Sequence, residues 1–198
     1  MPCTALALEL VAPHCDIVDR LRHVPPSAGV RGLFFNNLKT QIELAGRLGA
    51  YEAYFPDDRH SAMPYYPLAD FMLRLACAGA LVTTPAEVHE GMRVIARGNV
   101  HAFSQTLLGR TLLRLLAREP RRLTEQGLAA RRQTHRYGRW TMLEHGPSEL
   151  ELIYEDEYQW IESAVSGAAE GTYAACVPSV NVETRLSSRF SGSTLLRW

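Results

Sequence analysis

Apolar residues recur along this chain with two different periods. Over residues 33–48 they fall three and four apart, at Phe34, Leu38, Ile42, Ala45 and Leu48, which predicts a helix stopped at Gly49. Leu68, Phe71, Met72, Leu75 and Ala78 form a second helical stripe, opened by Pro67 and fading at Gly79. Thr84-Pro85-Ala86-Glu87 reads as a capping box with proline in the first turn. It opens a helix that buries Val88, Met92 and Ile95 and ends near Gly98. Another helix follows over residues 100–117, with Phe103, Leu107, Leu113 and Leu116 inward, closed by Glu119-Pro120. Residues 123–135 are helical and strongly basic.

The period then falls to two. Residues 140–144 and 149–154 are strands joined through His145-Gly146-Pro147-Ser148, the pattern of a hairpin. Residues 161–175 form a helix of small side chains. Strands follow at 180–186 and 194–198, with Gly192 supplying the turn. Ahead of all this, 5–11 reads as a short strand and 16–23 as a short helix with Ile17, Val18 and Leu21 inward. Residues 24–29 are a loop, and 50–66, rich in Tyr, Pro and Asp, are an irregular connection.

This order predicts an α+β fold: a helical N-terminal two-thirds packed on a small antiparallel four-stranded sheet with β-β-α-β-β order at the C-terminus. Trp140, Met142, Leu150, Leu152, Val182 and Leu196 are the candidates for its inner face. Residues 1–24 read as an N-terminal extension and 25–198 as a single α+β domain.

Composition narrows the class without naming a chemistry. The chain has 198 residues, 46% apolar and 21% charged, enough for one domain with a real core. A disordered chain, a collagen-like fibre and a disulfide-stapled miniprotein are excluded. The net charge of zero argues against nucleic acid as a partner. The charges are segregated, however. Residues 91–140 carry eleven arginines against Glu119 and Glu125, whereas 141–170 carry eight acids and neither Lys nor Arg. Such halves either face each other or polarise a surface for a partner. Cys3, Cys15, Cys77 and Cys176 form no C-x-x-C pair, and Met1-Pro2-Cys3-Thr4-Ala5 lacks the basic start of a signal peptide. The expectation is a cytoplasmic protein with reduced, buried thiols and no membrane span.

Catalytic signatures are missing. His89-Glu90 continues as Gly-Met-Arg, so the zinc helix H-E-x-x-H is absent, as are the G-x-S-x-G elbow, the phosphate loop and the dinucleotide fingerprint. Cys3, His14, Cys15 and His23 fit no zinc spacing. No catalytic residue, metal or cofactor is therefore assigned. Asp57-Asp58-Arg59-His60 reads as a polar loop tip, Glu155-Asp156-Glu157 as a solvated turn, and His101 as a structural histidine. Arg131, Arg132 and Arg136, near Tyr137 and Trp140, have the make-up of a phosphate or base contact. The preferred reading pairs them with the acidic segment of the same chain or of a second copy.

Several blocks carry a resemblance: Val24-Pro25-Pro26, Val30-Arg31-Gly32-Leu33-Phe34-Phe35-Asn36, Tyr66-Pro67-Leu68-Ala69-Asp70-Phe71, Phe103-Ser104-Gln105-Thr106-Leu107-Leu108-Gly109-Arg110 and the closing Trp198. Over about residues 20–198 the chain resembles a Myxococcales-restricted paralogous family of about 200 residues, a domain of unknown function. It departs from that family around 160–171, where Ala and Ser replace the usual glycine and proline. In layout it is distantly similar to haem nitric-oxide/oxygen-binding (H-NOX) domains, vinyl-reductase-type domains and TRAPP subunits. The Y-x-S-x-R clamp that holds the haem propionates in H-NOX domains has no counterpart here.

The resemblance and the missing signatures imply a non-enzymatic sensory or adaptor domain. It would meet a protein partner, or a second copy, or hold a small apolar ligand near Phe71, Phe103, Arg110, Tyr137 and Trp160. The alternatives are an enzyme or haem-binding gas sensor without a recognisable motif, and a nucleotide- or RNA-binding module using the arginine patch.

Overall fold

The computed structural model describes residues 2–105, 119–174 and 176–198. The fold is α+β, and the chain divides into two compact units, residues 1–95 and 96–198.

The first unit is mainly helical. Residues 5–11, expected as a strand, belong to helix α1 (Pro2–Val11), which packs on α5 (Leu68–Val82). Alanine and leucine fill this stretch, and their helix preference outweighs the short apolar run. Ala7 and Val11, four apart, share its buried face. Helix α2 (Ile17–His23) buries Ile17 and Arg20, while Val18, expected inward, is exposed. The strand β1 (Gly29–Arg31), which the sequence pattern did not reveal, leads into α3 (Gly32–Leu44). Part of the expected irregular connection is helical, as α4 (Leu48–Tyr54). Tyr51 and Phe55, four apart, are both buried and supply the helical face that the tyrosine and proline content masked. Strand β2 (Tyr65–Pro67) pairs antiparallel with β1, Val30 opposite Tyr66.

Helix α5 buries the expected stripe of Leu68, Phe71, Met72, Leu75 and Ala78 and runs beyond Gly79 to Val82. Gly79 is a contact point here, not a stop. A Cβ built on Gly91 of α6 (Val88–Gln105) would lie 2.1 Å from the Gly79 carbonyl oxygen, so the two helices meet backbone to backbone. The Thr84 hydroxyl donates to Glu87 Oε2 at 2.9 Å ahead of a 3-10 turn, Pro85–Glu87. The capping-box pair thus bond each other and not the backbone. Val88, Met92 and Ile95 are buried as expected. Gly98 does not end α6, and residues 106–118 of the expected next helix lie outside the described residues.

The second unit holds α7 (Pro120–Thr134) and a four-stranded antiparallel sheet of order β3-β4-β6-β5. Its strands are β3 (Arg139–Gly146), β4 (Glu149–Glu155), β5 (Asn181–Ser188) and β6 (Ser191–Arg197). Trp140 faces Tyr154, Met142 faces Leu152, and Leu152 in turn faces Thr194. Leu150, Leu152 and Leu196 are buried against Ile161, Val165, Ala169 and Tyr173, with Trp140, Met142 and Val182 partly buried beside them. The covering helix starts with a π turn (Ile161–Val165), where the Val165 N–H donates to the Trp160 carbonyl at 3.1 Å, and continues as α8 (Ser166–Ala174). The β5–β6 turn is Arg189-Phe190, whereas Gly192 lies within β6. A Cβ there would come 2.4 Å from the Arg185 carbonyl oxygen across the ladder, so glycine serves close strand approach and not the turn.

Candidate functional site

Two of the motif blocks meet in the first unit. Residues 56–64 run as a strap across the start of α3. The N–H groups of Gly32 and Leu33 donate to the carbonyls of Pro64 and Ala62 at 2.9 and 3.0 Å. These are groups that a helix start leaves without internal partners. The Arg31 guanidinium donates to the Met63 carbonyl and lies 4.0 Å above the Tyr65 ring. Gly32 permits the approach, since a Cβ would sit 2.0 Å from the Ser61 carbonyl oxygen. The block Arg31-Gly32-Leu33-Phe34-Phe35 is therefore the dock for this strap.

Asp58 and His60 turn inward from the strap, contrary to their reading as a solvated tip. Asp58 Oδ1 accepts from Arg74 Nε at 2.9 Å and lies 3.2 Å from His60 Nδ1, and Arg74 also donates to Asp70. His60 stacks on Phe35 with ring centroids 4.0 Å apart and meets Tyr66 edge-on. The aromatic wall offsets the loss of water around an otherwise polar tetrapeptide. Only Asp57 and Arg59 face solvent.

In the second unit the acidic run also turns inward at its third member. Glu157, expected in a solvated turn, is fully buried. Its carboxylate accepts from Arg131 Nη2 at 2.7 Å, Trp140 Nε1 at 2.8 Å and the Gln159 N–H at 3.0 Å. Its own N–H donates to the Phe190 carbonyl at 2.8 Å. The Arg131 guanidinium lies 4.2 Å from the Trp140 ring and 4.7 Å from the Tyr137 ring. This one residue, through its carboxylate and its N–H, thereby ties α7, β3, the segment after β4 and the β5–β6 turn. Asp156, with φ of 53°, makes the reversal that points Glu157 inward. Several of the segregated charges pair as expected, Arg97 with Glu170, Arg121 with Glu144, Arg131 with Glu157 and Arg139 with Glu155, whereas Arg132, expected to pair as well, has no charged partner among the described residues.

Burial lowers the pKa of His60, with Arg74 acting in the same direction against Asp58 and Asp70. Burial, then Arg131, holds His135 well below the ordinary histidine range. Both imidazoles bind fewer protons folded than unfolded between their native pKa values and about 6.5. Their contribution to stability is complete above pH 6.5 and declines as the pH falls toward the folded values. The slope is at most about 1.4 kcal/mol per pH unit for each. Urea unfolding from pH 7.5 to 5 is expected to show this loss, reduced in His60→Phe and His135→Phe. An unchanged pH profile in both variants would refute the assignment.

The five expected ligand residues distribute as follows. Phe71 lies in the first unit, buried on α5, edge-on to Phe35 with centroids 5.2 Å apart. Trp160 is fully buried in the second unit, where its carbonyl begins the π turn. Tyr137 is half-buried, accepts from the Gln159 side chain, and lines a cleft of about 180 Å³. Phe103 lies on α6, and Arg110 falls outside the described residues. Among the described residues no three His, Cys, Asp or Glu side chains are grouped to hold a metal ion. Sequence reasoning missed Asp58, His60, Arg74 and Glu157 as buried centres. The available signals were the i, i+4 pair Asp70 and Arg74, and the apolar Trp160-Ile161 just after the acidic run.

The architecture is that of the H-NOX fold. Similar solved structures are the Fe(II) unliganded H-NOX protein from K. algicida, at 11% identity over 84% of this chain and 95% of that one, with TM-score 0.66. The H-NOX from Shewanella woodyi in its Fe(II)CO state has 12% identity, 84% and 93% coverage, and TM-score 0.58. A mutant H-NOX of T. Tengcongensis has 18% identity, 84% and 96% coverage, and TM-score 0.57. At these identities the likeness is one of fold alone. By sequence the chain belongs to the family described as protein of unknown function (DUF2378), whose model matches residues 23–198. No curated protein matches it.

Proposed function

We propose that this chain is a non-enzymatic sensory or adaptor domain that acts by docking a partner and not by converting a substrate. The observation that carries this reading is the way its titratable groups are committed. Asp58, His60 and Arg74 close on one another in the first unit, and Arg131, Trp140 and Glu157 do so in the second. A general acid or base must reach a substrate proton, which these groups, turned inward onto each other, are not placed to do. Burial pushes the Cys77 thiol up to about 12 and Cys15 up to about 11, away from the thiolate a nucleophile needs. The H-NOX likeness favours sensing by analogy of fold.

Haem supports a second reading, because the H-NOX family is a heme family. Three of the described polar residues, Arg131, His60 and His135, already have other partners. Arg131, the buried arginine of the second unit, cannot serve a propionate without uncovering Glu157. His60 Nδ1 lies 3.2 Å from Asp58 Oδ1, and His135 is hydrogen-bonded to Thr134. His101 lies on α6. Titration of the purified protein with haem is expected to give no Soret band, and a broad hydrolase panel no turnover. A Soret band lost in His101→Ala would replace the proposal with a haem sensor, and turnover would replace it with an enzyme.

A further inference from the structure

The arginine patch contains one cation that the internal pairing leaves over. Arg131 is bound to Glu157 and Arg139 to Glu155, whereas Arg132 is exposed and has no charged partner among the described residues. All three line the cleft beside Tyr137, with His135, Gly138, Thr141, Leu128 and Trp140. No carboxylate lines it. Glu157 lies beyond Arg131, with its oxygens taken up by Arg131, Trp140 and Gln159.

The end of α7 would oppose an anion if its carbonyls were open. Two are already met: the Thr134 hydroxyl donates to the Ala130 carbonyl at 2.9 Å, and the His135 N–H to the Arg131 carbonyl at 2.9 Å. With Arg131 and Arg139 balanced by Glu157 and Glu155, the positive charge of the cleft comes from Arg132, and the Trp140 and Tyr137 rings that wall it strengthen the field of that guanidinium. Its volume of about 180 Å³ decides the size of the guest. That is below the roughly 300 Å³ at which whole small-molecule ligands begin to fit, yet several times a water.

We propose that this cleft binds a small oxyanion, phosphate or a short carboxylate, with Arg132 as its principal contact and Trp140 and Tyr137 as its walls. The guanidinium fork matches either oxyanion through paired N–H donors. The inference supplies an effector for the sensory reading and rests on that reading only for its biological role.

The test is a titration of the full chain with inorganic phosphate, and separately acetate, at constant ionic strength. It follows the Gly138 amide and the Trp140 indole N–H by NMR. Saturable shifts at both are expected, weakened about tenfold or more in Arg132→Gln. Arg132→Lys should retain part of the affinity, and Arg122→Gln, whose guanidinium pairs with Glu119, should retain all of it. Tighter binding of phosphate or of acetate identifies the oxyanion. Shifts that do not saturate, or equal affinity in Arg132→Gln, overturn the site. Those outcomes leave the docking proposal standing, whereas turnover or a Soret band would remove that proposal without touching the anion site.

Discussion

Glu157→Ala is expected to destabilise the second unit by about 3–5 kcal/mol, the range for removing one partner of a buried ion pair. The cost is not only a lost attraction. Arg131 would be left buried without a counter-charge, and the Trp140 indole N–H and the Gln159 amide would each lose an acceptor. A polar surface pair such as Arg122 with Glu119 would cost at most about 1 kcal/mol on the same change. Urea unfolding, with hydrogen exchange read on β3 and β4, measures the difference. The double replacement Arg131→Met with Glu157→Leu should recover only the part of the loss due to the unpaired charge, since the Trp140 indole N–H and the Gln159 amide still lack their acceptor. A loss below about 1 kcal/mol in Glu157→Ala would mean that water reaches the carboxylate and that the pair does not organise the unit.

The second large effect is expected at Gly91→Ala. In an unconstrained helix this change would stabilise by roughly 1 kcal/mol, because alanine is the better helix former. Here the new Cβ would lie 2.1 Å from the Gly79 carbonyl oxygen and 2.6 Å from its carbon, both backbone atoms. Relief requires α5 and α6 to separate, which loosens Met72, Val88 and Met92 in the core between them. Overpacking of this kind costs about 1–3 kcal/mol or more and outweighs the propensity gain. Thermal unfolding should show a lower midpoint in Gly91→Ala and a near-neutral or raised one in Gly127→Ala, where nothing lies within 4 Å of the added methyl. A stabilised Gly91→Ala would show that the helices do not touch there.

The sheet was the most legible part of the sequence. Alternation from Trp140 to Tyr154 gave the hairpin and its inner face, because a period of two leaves little freedom over which side chains point inward. The stripes of helices α3, α5 and α6 were legible for the same reason with the other period, but not every end: α3 closes at Leu44, and Leu48 and Gly49, expected to finish it, belong to α4. The errors have specific causes. At residues 5–11 a short apolar stretch carries no usable period, and alanine and leucine favoured the helix. At 48–54 tyrosine and proline nearby disguised a helical face. Gly79, Gly98 and Gly192 were read as punctuation, whereas Gly79 and Gly192 serve close backbone approach, a property of the neighbour that a single chain segment does not display. The buried polar centres were illegible for a related reason. Asp58 and Glu157 sit in runs of charge that normally face water, and only a distant arginine and an aromatic wall make their burial affordable. Those partners, Arg74 and Arg131, lie 16 and 26 residues away in sequence.

At residues 62–64 the strap over α3 is fastened by what every residue possesses. Ala62, Met63 and Pro64 hold it through carbonyl oxygens, while their side chains remain exposed. Its grip is therefore indifferent to which amino acids occupy those three places, provided Arg31 and Gly32 stay. Such a segment can be rewritten, or carry a grafted epitope, with the scaffold beneath it unaltered, so recognition could diversify there between relatives at little cost to folding.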